Sequence, residues 1–219
     1  MAYLSFSKPY TIALDAGHGG MDGGAEGIRN EVEITERTVA ELKELLLEDG
    51  RFRVVTSRKD GESKSITERN QKFQKTRPKP DLVLSIHANA SEDASAYGFE
   101  CYPSPPGLEN HEGSVVFAGA LAGAMGEAGA RLRGDTGVRF GYYLSNGEKF
   151  LVDSTDTEVY TYDTFGMLKN MKCPTVLVEQ CFVTNGDDVA AFGTDEGCKA
   201  AAAAYYKGIC DYIAATQDS

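Results

Sequence analysis

Thr11-Ile12-Ala13-Leu14-Asp15-Ala16-Gly17-His18-Gly19-Gly20 runs an apolar segment straight into a glycine-rich turn that presents an imidazole. Further along, Asp81-Leu82-Val83-Leu84-Ser85-Ile86-His87-Ala88-Asn89 repeats the device. Near-continuous Val, Ile and Leu runs read as strands covered on both faces, as in parallel sheets. The chain has only three histidines, and two of them, His18 and His87, end such strands. Two imidazoles delivered to one edge of one sheet point to a metal site.

Working outward, β-type runs occur at 10–14, 52–56, 82–86, 98–102 and 175–178, with helical patterns between them. Val39, Leu42, Leu45 and Leu46 form a stripe at helical spacing ended by Gly50, with Asn30 and Glu33 as an N-cap pair. Further helices are predicted at 67–75, 114–132 and about 195–214. Alternating β and α units predict an α/β fold: a mainly parallel, twisted sheet flanked by helices on both faces. The 219 residues suit a single domain over 1–219, with no internal repeat or low-complexity linker. Segment 91–172 is the least regular, holding Pro103, Pro105, Pro106 and a polar run at 144–164. It reads as one helix with long flanking loops that form a wall of the cleft.

Composition narrows the function. Lys plus Arg number 22 and Asp plus Glu 33, a net charge of −11. An acidic chain without a basic stripe is not drawn to nucleic acid or to anionic membranes. No stretch reaches transmembrane length, so no membrane insertion is expected. Met1-Ala2-Tyr3-Leu4-Ser5-Phe6-Ser7-Lys8 lacks a basic segment followed by an apolar one, so no export signal is read. The five cysteines have no C-x-x-C spacing, which predicts buried, reduced thiols rather than a zinc knuckle.

The glycine loop is not a nucleotide-binding loop. Asp22 stands where G-x-G-x-x-G needs its third glycine, and Asp15, Asp22 and Glu26 would repel a pyrophosphate. A catalytic zinc takes three protein ligands and keeps one position open. Two histidines therefore need a carboxylate. Glu31 is the best placed, opening the helix after the loop, where a carboxylate is favoured; Glu26 and Glu33 are rivals that spacing does not separate. Val176-Leu177-Val178-Glu179 ends another apolar strand in an acid. Open α/β sheets bind ligands beyond the carboxyl ends of their strands, so His18, His87 and Glu179 form one candidate site. A glutamate in partly apolar surroundings keeps a raised pKa suited to moving protons.

Leu14-Asp15-Ala16-Gly17-His18-Gly19-Gly20, Gly24-Ala25, Asn30-Glu31, Thr56-Ser57-Arg58 with Asp60, Glu68-Arg69-Asn70, Ser85-Ile86-His87-Ala88-Asn89-Ala90, and Leu177-Val178-Glu179 with Phe182 and Asn185 follow one order. In this order the chain resembles the zinc-dependent N-acetylmuramoyl-L-alanine amidases of the type 3 class, cell-wall hydrolases and endolysin catalytic domains, over about 10–212. The resemblance implies one Zn2+ per chain on His18, Glu31 and His87, with Glu179 as the catalytic carboxylate. It also implies peptidoglycan as partner, cleavage of the bond between the muramic lactyl group and L-alanine, and action at the cell wall; the chain is expected to be a monomer. Asp15 is expected to orient His18, and Asn89 to hydrogen-bond substrate. Thr35-Glu36-Arg37 and Cys181 depart from the family pattern, and no separate wall-binding module is visible. The alternatives are a non-catalytic wall-binding module of the same fold, and a zinc amidase or peptidase acting on another amide.

Cys181 lies two residues after Glu179, which on an extended strand puts both on one side and makes a Cys–His nucleophile conceivable. His111 reads as a solvated loop residue.

Overall fold

A computed structural model describes residues 9–217 of the chain. In chain order the elements are β1 (Tyr10–Ala16), α1 (Glu31–Asp49), β2 (Phe52–Thr56), α2 (Ile66–Lys75), β3 (Leu82–Asn89), β4 (Glu100–Pro103), α3 (His111–Glu127), β5 (Arg139–Tyr143), β6 (Lys149–Asp153), β7 (Asp163–Thr164), α4 (Gly166–Asn170), β8 (Thr175–Phe182), the short α5 (Gly186–Asp188) and α6 (Asp195–Gln217). The main sheet has the order β2-β1-β3-β8-β4. Its first four strands are parallel and β4 closes one edge antiparallel, as the α/β reading requires.

Side-chain parity divides the sheet into two unlike faces. Ile12, Leu14 and Ala16 of β1, Leu82, Leu84, Ile86 and Ala88 of β3, and Val176 and Val178 of β8 share one core with α1, α3 and α6. From the helices come Ile34, Leu42 and Leu46, Phe117 and Leu121, and Tyr205 and Ile209, all fully buried. Each such aliphatic side chain contributes roughly 1.5–3 kcal/mol on burial. On the opposite face, Ala13 and Val83 pack on Phe73 of α2 and Met167 of α4, while Tyr102 and Leu177 pack on Phe165 and Leu168. Toward the carboxyl ends of the strands this face changes character and carries Asp15, Ser85, His87 and Glu179. Asp15 is in register with Ser85, and His87 with Glu179.

Several local expectations are revised. The Asn30 side chain makes no capping bond at α1; Glu33 instead pairs with Arg29 at 3.3 Å. The helix does end at Gly50, whose φ of 74° is left-handed. The third helix runs His111–Glu127 rather than 114–132. His111 is therefore its first residue and not a solvated loop residue: its Nδ1 lies 2.8 Å from the Ser104 carbonyl, and its ring packs 5.6 Å from Phe140.

The largest revision lies within 91–172. Beyond the expected helix and the expected strand, which is β4, this segment holds a second, antiparallel sheet of order β6-β5-β7. Aromatic residues explain it. On one side Tyr142 packs against Phe150 and Tyr160, with ring centroids 6.2 and 5.2 Å away. On the other, Tyr143 and Leu151 meet the Phe165 cluster that covers the main sheet. The second sheet stands beside the carboxyl ends of the main strands and walls the cleft there.

Candidate metal centre

His18 leaves β1 at a φ of 60°, a left-handed conformation that side-chain-bearing residues adopt only when the surroundings impose it. Those surroundings are specific. The Gly17 carbonyl accepts from Arg58 Nη2 at 2.9 Å and from Thr35 Oγ1 at 3.2 Å, and the Ala16 carbonyl accepts from Arg58 Nε at 3.1 Å. Glu36 in turn holds the Arg58 guanidinium. Gly17 has no alternative, since a Cβ there would sit 2.4 Å from the His87 ring. Asp22 Oδ2 lies 3.0 Å from His18 Nδ1, which makes Nδ1 the protonated nitrogen and turns Nε2 toward Glu31.

Glu31, in the first turn of α1, is 4% exposed. Its Oε2 lies 3.1 Å from His18 Nε2 and accepts from the Ala25 N–H at 2.9 Å. Its Oε1 lies 2.9 Å from His87 Nδ1 and accepts from the Ala88 N–H at 3.0 Å. Burial opposes its charge, but hydrogen bonds from His18 and His87 outweigh burial and hold the carboxyl well below the usual carboxylate range. The same contact with Glu31 lifts His18 to about 9. One donor atom from each of His18, Glu31 and His87 lies within 4.8 Å of the others. Ligands of a tetrahedral zinc, at about 2.0–2.1 Å each, are separated by roughly 3.3 Å. The two imidazoles face one carboxylate at that spacing.

Glu179 sits on β8 directly across from His87. It is buried, and its Oε2 has no hydrogen-bond partner. Burial pushes this carboxyl up to about 7; the positive charges of His87 and Lys149 pull against it. A buried polar atom without a partner costs free energy, and this one belongs to a residue that lines a cavity. The cavity beside it, about 500 Å³, is lined by His18, Glu31, His87, Glu179, Asn89 and, from the second sheet, Tyr143 and Lys149. The donor set, its spacing and the unpartnered acid together fit a catalytic metal.

Other sequence expectations fall out differently. Asp15 does not touch His18. It is 1% exposed and held by Arg69 Nη1 at 2.9 Å and by the Ser85 hydroxyl at 2.7 Å. Residue parity sends Asp15 to the α2 side of the sheet before the chain turns, so Asp22 rather than Asp15 orients the imidazole. Asn89 lines the cavity, but its Nδ2 donates to Glu100 Oε1 at 2.7 Å. Cys181 does not share the side of Glu179. A register shift between His87/Glu179 and Asn89/Phe182 inserts an extra residue in β8, and Cys181 turns into the three-helix core. Burial pushes its thiol up and away from thiolate chemistry. Sequence reading missed the supporting roles of Asp22, Arg58 and Thr35. For Asp22 a signal existed, an acid four residues after His18 in a glycine loop. Glu26 and Glu33, the rivals of Glu31, are not among the converging donors.

The family model described as N-acetylmuramoyl-L-alanine amidase matches residues 12–211. The chain belongs to that family. Among curated relatives, the probable N-acetylmuramoyl-L-alanine amidase AmiB of Haemophilus influenzae is 28% identical over 95% of this chain, which spans 53% of AmiB's own length. Among solved structures, Cwp6 from Clostridium difficile superposes with a TM-score of 0.76 at 26% identity, covering 95% of this chain and 30% of Cwp6. The catalytic domain of CwlV, an N-acetylmuramoyl-L-alanine amidase from Bacillus (Paenibacillus) polymyxa var. colistinus, shares the fold with a TM-score of 0.74 at 22% identity, covering 94% of this chain and 98% of that one.

Proposed function

We propose that this chain is a zinc-dependent hydrolase that cleaves the amide between the lactyl group of N-acetylmuramic acid and L-alanine in peptidoglycan, and that it works at the cell wall. The observation that carries the reading is the buried, unpartnered Glu179 carboxyl beside the His18–Glu31–His87 donors. Family membership supports the choice of amide. No helix among the described residues is long and apolar enough to cross a membrane.

His18, Glu31 and His87 would hold one zinc ion per chain. When bound, zinc polarises a carbonyl and lowers the pKa of water. The protein's own groups do the rest. Asp22 keeps the His18 proton on Nδ1, so that Nε2 stays free to ligate. The Ala25 and Ala88 N–H groups fix the Glu31 oxygens without competing for charge. Glu179 takes the proton from the attacking water at its free Oε2. It returns that proton to the alanine nitrogen as the C–N bond breaks, which prevents expulsion of an amide anion. A carboxyl poised near neutrality suits both transfers.

The test is a digest of defined muropeptides by zinc-loaded protein, read by mass spectrometry. New free L-alanine N-termini are expected, and chelation is expected to stop their release. Binding to wall without release, or cleavage of a different amide, would overturn the reading.

A further inference from the structure

Lys149 opens β6, directly across from Tyr143 of β5, and both side chains line the cavity that holds Glu179. The ammonium lies over the Phe165 ring, 5.6 Å from its centroid. Such a contact directs a lysine along the wall without neutralising it.

Apart from Glu179, whose Oε2 has no partner, the other charges of the cavity are committed. Arg69 is paired with the buried Asp15 at 2.9 Å. Asp22 faces His18, and Glu31 faces both imidazoles. On the second sheet, Asp163 stands across from Tyr143 but holds Lys169 at 2.7 Å. Among the described residues Lys149 has an aromatic ring beneath it and no carboxylate paired with it. It is an exposed cation on the wall of the cleft that holds Glu179. A peptide carrying negative charge would meet there a cation with no acid paired to it.

The stem peptide of peptidoglycan has that chemistry. The residues after its L-alanine carry carboxylates that some walls leave free and others convert to amides. One residue of extended peptide spans about 3.5 Å. With the scissile bond at Glu179, the stem residues that follow it enter the cavity that Lys149 also lines. We propose that Lys149 reads a free carboxylate of the stem peptide and makes the protein discriminate against amidated stems. This inference rests on the amidase reading above.

The experiment uses the zinc-loaded full chain and three muramoyl tripeptides: both carboxylates free, the second residue amidated, and the third amidated. The wild type is expected to lose about fivefold in kcat/KM on one amidated substrate, the size of a partly exposed ion pair. Which amide is disfavoured assigns the carboxylate. Lys149→Gln is expected to remove the discrimination, and Lys149→Arg to keep it, because the charge remains. Added salt is expected to shrink the preference in the wild type alone. Equal rates of the wild type on all three substrates, or discrimination surviving in Lys149→Gln, overturns the inference and leaves the amidase reading intact. Cleavage of none of the three overturns the amidase reading and the inference together.

Discussion

The two faces of the main sheet are made by alternate residues of the same strands, yet they obey different rules. Leu84 and Ser85 are neighbours in β3. Leu84 is fully buried in a continuous apolar core under α1, α3 and α6, while Ser85 bonds Asp15 on the cleft side. The helix face is held mainly by dispersion and apolar burial. The cleft face concentrates polar groups that must be satisfied by one another: Arg69–Asp15–Ser85, His18–Glu31–His87, and Arg139–Glu100–Asn89. Glu179 Oε2 alone among these acids is left without a partner. The helix face therefore governs stability and the cleft face reactivity, so substitutions on each should separate.

The largest effect should come from the cleft. Glu179→Gln keeps the shape and removes the proposed proton carrier. Turnover is expected to fall about a thousandfold, in the usual range for a general base, while zinc content measured by atomic absorption stays at one per chain. Undiminished turnover would break the division of labour. On the opposite face, Leu84→Ala should cost about 3 kcal/mol in urea unfolding of the zinc-loaded protein. The kcat of the folded protein should change little; a loss comparable to that of Glu179→Gln would show that the two faces are not separable.

A third measurement joins the faces through pH. Glu179 has a carboxyl raised by burial from 4.5 to about 7. Between those values the folded state keeps a proton that the unfolded chain releases. In metal-free protein this contribution is full below pH 4.5, declines as pH rises, and is gone above about 7. The loss is roughly 3 kcal/mol. Glu179→Gln should therefore stabilise the metal-free protein at pH 8 and not at pH 4; denaturant titrations at both values check the sign. The smallest effect concerns the turn under His18. Arg58 forks onto the Ala16 and Gly17 carbonyls, and a lysine cannot reproduce that fork. Arg58→Lys should weaken zinc affinity about tenfold, as loss of ligand-supporting contacts does, measured by competition with a chelator.

Much of this was legible in residue order. The apolar runs ending in His18, His87 and Glu179 place the parallel strands and three of the four central groups, because strands buried on both faces carry a plain compositional mark. Contacts between remote segments were less legible. Nothing near Asp15 announces Arg69 and Ser85 as its partners, since these come from α2 and β3. The second sheet escaped because its strands are short, interrupted by turn residues, and held by aromatic contacts across a non-local pairing. Cys181 was misplaced because strict alternation fails where a strand carries a surplus residue. Asn30 and Glu33 had the right letters for a cap, but Arg29 competed for the acid.

That surplus residue in β8 gives length a meaning that identity lacks. Downstream of Glu179 the chain resumes alternation out of step with its neighbour, so the Cys181 thiol turns into the apolar core while Glu179, before the shift, lines the cleft. Deleting Gln180 would behave like a frame slip in three dimensions: every later side chain of the strand would exchange sides, although no letter had been rewritten. Among relatives, insertions and deletions at this point should be far scarcer than replacements.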